Sequence, residues 1–263
     1  MINFPVGHRR VQFSVVHPDN WESDSRSVTF EPEVVNIISK VVRPGDFVID
    51  AGANFGFYSL VMSQLVGQSG MVMAFEPDPR IYGQLVVNVE ANKFDNIVYS
   101  DMALWNEDCD KEFWLHPLSG YSSFGAYDES EMHMVKARKI DTLCQAFSPP
   151  RFMKVDCEGS ELWIMYGAEQ TLRRGVEYIV AELNYELLDQ FHLGKTWLRE
   201  YMAKLGYHMF VINIKEDGEY KLHRLEADQF LTINCRDPDA ARMINVLFSM
   251  YPDPLATERI CHG

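Results

Sequence analysis

The run Asp50-Ala51-Gly52-Ala53-Asn54-Phe55-Gly56 joins an acid to two glycines, between the apolar stretch Phe47-Val48-Ile49 and a helix-forming segment. Glycines at such a turn let the backbone bend tightly and approach a ligand closely. Amides at the start of the next helix face the same crevice, which is where open α/β sheets bind ligands. Asp50 would repel a pyrophosphate, so the turn does not read as a dinucleotide loop. It suits a cofactor bearing a cationic amino group and a sulfonium.

Three further segments fall at regular intervals behind it. Ala74-Phe75-Glu76-Pro77-Asp78-Pro79 ends the next strand, and an acid at that point accepts both hydroxyls of a ribose. Ser100-Asp101-Met102-Ala103-Leu104 follows the third strand, where Asp101 and the amide of Met102 would meet an adenine edge. An Asp that only caps a turn is the competing reading of Asp101. The fourth segment is Lys154-Val155-Asp156-Cys157-Glu158-Gly159-Ser160-Glu161, with Asp156 at a strand's carboxyl end and Glu161 placed to complement a helix dipole.

Asp156 with Glu158, and Glu182 with Asn184, form two acidic loci at neighbouring strand ends. A hydroxyl that attacks a carbon attached to a sulfonium does so in line and sheds a proton. A base or a metal must therefore lie within hydrogen-bond reach. Asp156, Glu158 and Glu182 are the candidate catalytic residues. We assign no metal ligands: a carboxylate base is favoured over a magnesium ion held by two acids and an amide oxygen. A cap on the fifth strand is the competing role for Glu182 and Asn184.

These segments need a scaffold that brings strand ends together. Strand and helix alternate from Pro32 onward: strands at 47–50, 71–75, 97–99, 152–156 and 176–183, and helices opening near Pro32, Gly56, Pro79, Leu162 and Thr196. Glu31-Pro32-Glu33 reads as a helix start, with Val34, Ile38 and Val41 on one face. This is the rhythm of a doubly wound α/β fold with a mostly parallel sheet. Strands at 207–214 and 229–234, joined around Glu216-Asp217-Gly218, predict an antiparallel hairpin closing the sheet. Residues 102–151 break the rhythm between the third and fourth strands. Their aromatics and turn formers, Trp105, Trp114, Tyr121, Ser122, Ser123, Phe124 and Tyr127, suggest a cover over the acceptor. An extra β-ribbon on the sheet edge fits the same residues. The N-terminal thirty residues are an extension, with a strand at 11–16 and a turn at His17-Pro18-Asp19-Asn20. A single domain is expected, because no stretch reads as a linker.

Composition narrows the partners. The net charge of -14 disfavours nucleic acid, and the basic clusters are short. No apolar run is long enough to span a bilayer, and no signal peptide is evident. Five cysteines without ligand spacing fit a reducing compartment. The expectation is a soluble cytoplasmic protein with a small-molecule partner and no membrane insertion. The sequence does not specify an oligomeric state.

Taken together, Asp50 to Leu60, Phe75-Glu76-Pro77, Ala103-Leu104, Ile140-Asp141-Thr142-Leu143 and Lys154 to Glu161 resemble the FkbM-type methyltransferase family in order and spacing. The resemblance covers about Pro32 to Glu182. It implies the seven-stranded, Rossmann-like class I methyltransferase fold, S-adenosylmethionine as cofactor, and O-methylation of a hydroxyl on a sugar or other small molecule. It also implies cofactor contacts by Asp50, Gly52, Asn54, Gly56, Tyr58, Glu76 and Pro77. Ile140 stands where the family usually has Leu. Three other readings remain open. A methyltransferase acting on RNA ribose would use Lys154 and Asp156. A nicotinamide-dependent oxidoreductase shares the turn and the ribose acid, but lacks the Gly-x-Gly-x-x-Gly pattern here. A cofactor-binding scaffold that has lost catalysis would keep the motifs.

Overall fold

The computed structural model describes residues 2–6, 9–15, 31–117, 121–126, 129–184, 196–214, 220–225 and 243–255. Five parallel strands form its centre: β3 (Phe47–Ala51), β4 (Met71–Phe75), β5 (Ile97–Ser100), β9 (Phe152–Val155) and β10 (Tyr178–Asn184). They carry the β-branched and large apolar residues that a sheet buried on both faces requires. β11 (His208–Ile214), β12 (Tyr220–Leu225) and β13 (Met243–Ser249) extend the sheet, giving the order β5-β4-β3-β9-β10-β13-β11-β12. β13 lies antiparallel to both β10 and β11, so β11 runs with the central five.

The expected doubly wound, mostly parallel sheet is present. Its seven strands are extended by β12, which pairs antiparallel with β11 and lies within the stretch expected to be the hairpin's connection. The expected second hairpin strand, 229–234, lies outside the described residues, as do the connection at 216–218, the turn at 17–20 and Tyr127. β13 was not anticipated from the sequence; it inserts between β10 and β11 and separates the hairpin from the parallel strands.

Helices cover both faces. α1 (Pro32–Val41) and α2 (Phe57–Val66) pack on one with Val48, Val72, Phe152 and Val180. α5 (Glu161–Tyr166), α6 (Glu169–Arg173) and α7 (Trp197–Lys204) pack on the other with Ile49, Met73, Met153 and Ile179. The alternation of strand side chains assigns the two sets. One helix was expected from Leu162 to Leu172, but it is broken at Gly167. There the backbone passes so close to Trp105 that an added Cβ would lie 2.0 Å from its carbonyl oxygen. α3 (Pro79–Asn92) opens on the N-cap Asp78, whose side chain accepts from the Arg80 N–H.

The break in rhythm is a separate three-stranded sheet, in the order β6 (Ala103–Leu104), β8 (Glu131–Arg138), β7 (Cys109–Leu115). α4 (Ile140–Cys144) leads from it back to β9. Trp105, Phe113, Leu115, Val135 and Ala137 form its small core. A β1–β2 ribbon (Ile2–Val6, Arg9–Phe13) precedes α1, and its second strand begins and ends earlier than the expected 11–16. Among the described residues no helix is long and apolar enough to cross a membrane.

Candidate active site

The chain reverses its direction of winding between β3 and β9, and a cleft of about 660 Å³ opens at the carboxyl ends of β3, β4 and β9. A topological switch point is where an open α/β sheet binds ligands.

Gly52 and Asn54 bring the turn to the cleft. Gly52 has φ +74, and a Cβ there would lie 1.8 Å from the Asp156 carbonyl oxygen. No other residue allows the two strand ends to close so tightly. Asn54 also takes positive φ, and its N–H donates to Glu76 Oε2 at 2.9 Å. The Asp78 N–H donates to Glu76 Oε1 at 2.9 Å. Glu76 is only 7% exposed, and burial raises its pKa to about 7 against these two amides. Each of its oxygens keeps a lone pair for a further donor. Pro77, Ile81, Met102 and Leu104 add an apolar wall beside it.

At the other end stand Asp156 and Glu158. Lys154, 4% exposed, places its Nζ 2.8 Å from Asp156 Oδ2. Burial opposes ionisation of Asp156, but Lys154 and a hydrogen bond from Glu182 hold its carboxyl below the usual range. The ionised Asp156, and then burial, push Glu182 up to about 11. Burial, followed by Asp156 and Glu161, lifts Glu158 well above an ordinary glutamate. Carboxylate oxygens of Asp156, Glu158 and Glu182 lie within 4.8 Å of one another. The cluster therefore holds an ionised Asp156 against the Lys154 ammonium, with Glu182 protonated beside it. Removing one partner from such a buried pair costs about 3–5 kcal/mol.

The three-stranded sheet supplies the outer wall. Phe113 and Phe124 line the cleft; their rings are 5.3 Å apart, and Trp105 backs Phe124 at 4.6 Å. Ser122 also lines it and donates to Asp78 Oδ2 at 2.8 Å, tying the insertion to the start of α3. Burial works against the Asp78 carboxylate, yet Arg80 and Ser122 hold its pKa low.

Gly52, Asn54, Glu76, Pro77, Met102, Ser122, Phe124, Asp156 and Glu158 thus converge as expected, and Glu182 joins through Asp156. Several other assignments are corrected. Asp50 is fully buried on the α1–α2 face of the sheet; Ser59 Oγ donates to it at 2.5 Å, and it does not reach the cleft. It shares strand parity with Val48, which fixes that orientation. Tyr58 points to the same face and donates its hydroxyl to Glu31 Oε2 at 2.6 Å. Gly56, with φ +94, lies outside the cleft and serves as the N-cap turn of α2 against Leu85. Asp101 is exposed and outside the cleft. Tyr121 is 46% exposed and packs on His116, while Ser123 is buried in a bridge to Trp114. Asp78 went unrecognised as a cleft residue, although an Asp before Pro79 is an N-cap signal. Glu31 was read only as an acid at a helix start; its carboxylate instead serves Tyr58 and Asn245.

Parallel strands ordered outward from a central β3 in both directions, with an antiparallel strand inserted before the last long one, define a class I methyltransferase fold, and the cleft lies at its switch point. The Methyltransferase FkbM domain family matches residues 50–209, and the chain belongs to that family. It is 26% identical over 160 residues to Methyltransferase 1 of Beauveria bassiana; the match covers 52% of this chain and 64% of that protein's length. Among solved structures it is similar to a precorrin-6y C5,15-methyltransferase from Geobacter metallireducens, with 15% identity and a TM-score of 0.48, covering 90% of this chain and 94% of that one. It is also similar to an FkbM methyltransferase from Methylobacillus flagellatus, with 15% identity and a TM-score of 0.47, covering 84% of this chain and 55% of that one.

Proposed function

We propose that this chain is an S-adenosylmethionine-dependent O-methyltransferase acting on a hydroxyl of a sugar or another small molecule. The observation that carries this reading is the single cleft that holds a buried acid, Glu76, at one end and the Asp156–Glu158 pair at the other. The donor set fits the cofactor. Glu76 offers a desolvated carboxylate to a ribose diol, and Pro77, Ile81, Met102 and Leu104 offer an apolar slot to a base. When bound, the cofactor supplies an activated methyl group.

The residues of the chain supply alignment and a proton acceptor. Asp156 is the ionised member of its cluster, so it takes the proton of the attacking hydroxyl. The weak basicity that Lys154 imposes is sufficient, because an alcohol oxygen becomes strongly acidic as it gains the methyl group. Glu182 remains protonated and steadies Asp156 by donation. Phe113 and Phe124 offer flat apolar surface to a ring-bearing acceptor, and Ser122 adds a hydroxyl. A polymeric RNA acceptor has less support, since Lys154 is buried over the Tyr58 ring and the net charge is -14.

The experiment is transfer of labelled methyl from S-adenosylmethionine into a fractionated metabolite extract, followed by analysis of the labelled product. Label in a small-molecule methyl ether supports the proposal. Label confined to RNA or protein, or on nitrogen or carbon, refutes it.

A further inference from the structure

Glu31 lies outside the cleft, yet two distant parts of the chain meet at its carboxylate. Oε2 accepts the Tyr58 hydroxyl at 2.6 Å, from α2. Oε1 accepts Asn245 Nδ2 at 2.8 Å, from β13. Its own backbone carbonyl accepts the first amides of α1, from Val34 and Val35. The residue adopts φ 39, ψ 69, a left-handed conformation that side chains avoid. The following residue is Pro32, before which the backbone is ordinarily extended. Such a conformation persists where its surroundings fix it.

The contacts beyond Glu31 lead to the acid cluster. The ring of Tyr58 lies beneath the Lys154 ammonium, 4.7 Å from its centre, and Lys154 bonds Asp156. Asn245 is the register partner of Glu182 across β10 and β13. Asp50, Lys154, Glu182 and Asn245 occupy one face of four adjacent strands, so the clamp and the cluster form one layer. Glu31 is also among the charges that keep Lys154 protonated and Glu182 uncharged.

We propose that Glu31 is a positioning residue for the catalytic cluster: it fixes Tyr58 so that the ring carries the Lys154 ammonium against Asp156. The catalytic part of this rests on the reading of Asp156 as the proton acceptor. Glu31 touches no reacting atom. It acts by setting where the cluster's cation sits.

The test uses the full chain with 15N-labelled lysine. A buried ammonium exchanges slowly with water and gives its own cross-peak, here shifted by the Tyr58 ring and assigned through its loss in Lys154→Arg. Glu31→Gln is expected to move or erase that signal. S-adenosylhomocysteine affinity, read by calorimetry, is expected to stay within about twofold, because the cleft is untouched. Initial methyl transfer into the extract fraction that the wild type labels is expected to fall at least about tenfold. Tyr58→Phe and Asn245→Ala each remove one arm of the clamp while leaving Glu31, and they serve if Glu31→Gln does not fold. A folded variant with an unmoved lysine signal, or with a transfer rate within about twofold of wild type, overturns the proposal. If the wild type labels no fraction, the functional reading fails, while the lysine signal still decides whether Glu31 holds the cation in place.

Discussion

Glu182 and Asp156 share one hydrogen bond, and it runs from acid to carboxylate: Glu182 is the protonated donor and Asp156 the ionised acceptor. The two side chains are therefore unequal in what they lose by amidation. Asp156→Asn removes the proton acceptor and strands Lys154, so methyl transfer is expected to fall at least about 100-fold. Glu182→Gln retains an N–H donor toward Asp156, and its loss is expected to stay within about tenfold. Initial rates of label transfer by folded variants check this, and the reverse ranking would move the proton acceptor to Glu182.

Glu76 titrates near neutrality because burial raises it to about 7. In the proposed role its carboxylate form would accept from two ribose hydroxyls, and the protonated form would lose part of that capacity. S-adenosylhomocysteine should therefore bind with constant affinity above about pH 7 and progressively more weakly below it, by up to about tenfold per pH unit. Glu76→Gln should flatten this dependence. Calorimetry across pH 5.5–8.5 decides it, and a flat wild-type profile would remove the ribose role.

Tyr121 and Phe124 were expected to act together, but they part company in the structure. Phe124 lines the cleft, while Tyr121 is 46% exposed and packs on His116. Phe124→Ala is expected to raise the acceptor's Michaelis constant about tenfold or more, with little effect on cofactor affinity. Tyr121→Ala is expected to change neither. Equal effects of the two would mean that the insertion contributes folding stability and no acceptor surface.

Lys154 already sets a positive charge 2.8 Å from Asp156. A divalent cation at that carboxylate would sit against the ammonium, at a cost in repulsion. Methyl transfer is expected to survive a chelator with a rate within about twofold. A loss restored by magnesium would make the cluster a metal centre.

Much of this architecture was legible from strand spacing. β4 begins and ends where the apolar run does, and the alternation with helices fixed the winding. The acids at the ends of β4 and β9 were legible because strand ends at a switch point face one crevice. Parity was the signal left unused. Asp50 stands two residues from Val48, so it shares that residue's face and joins Lys154 beneath α2, away from the cleft. Tyr58 and Glu31 meet across 27 residues and Glu31 meets Asn245 across 214, separations to which local pattern is blind. β13 was missed because its pairing on both sides is decided by distant strands.

The most direct test is a comparison of S-adenosylhomocysteine with nicotinamide adenine dinucleotide by titration calorimetry on the full chain. The account predicts one S-adenosylhomocysteine bound per chain and no comparable dinucleotide binding. It also predicts that Glu76→Ala weakens S-adenosylhomocysteine at least about tenfold, as expected when charge-assisted hydrogen bonds worth about 1.5–3 kcal/mol are lost. Preferential dinucleotide binding, or S-adenosylhomocysteine affinity untouched by Glu76→Ala in a folded protein, would contradict it.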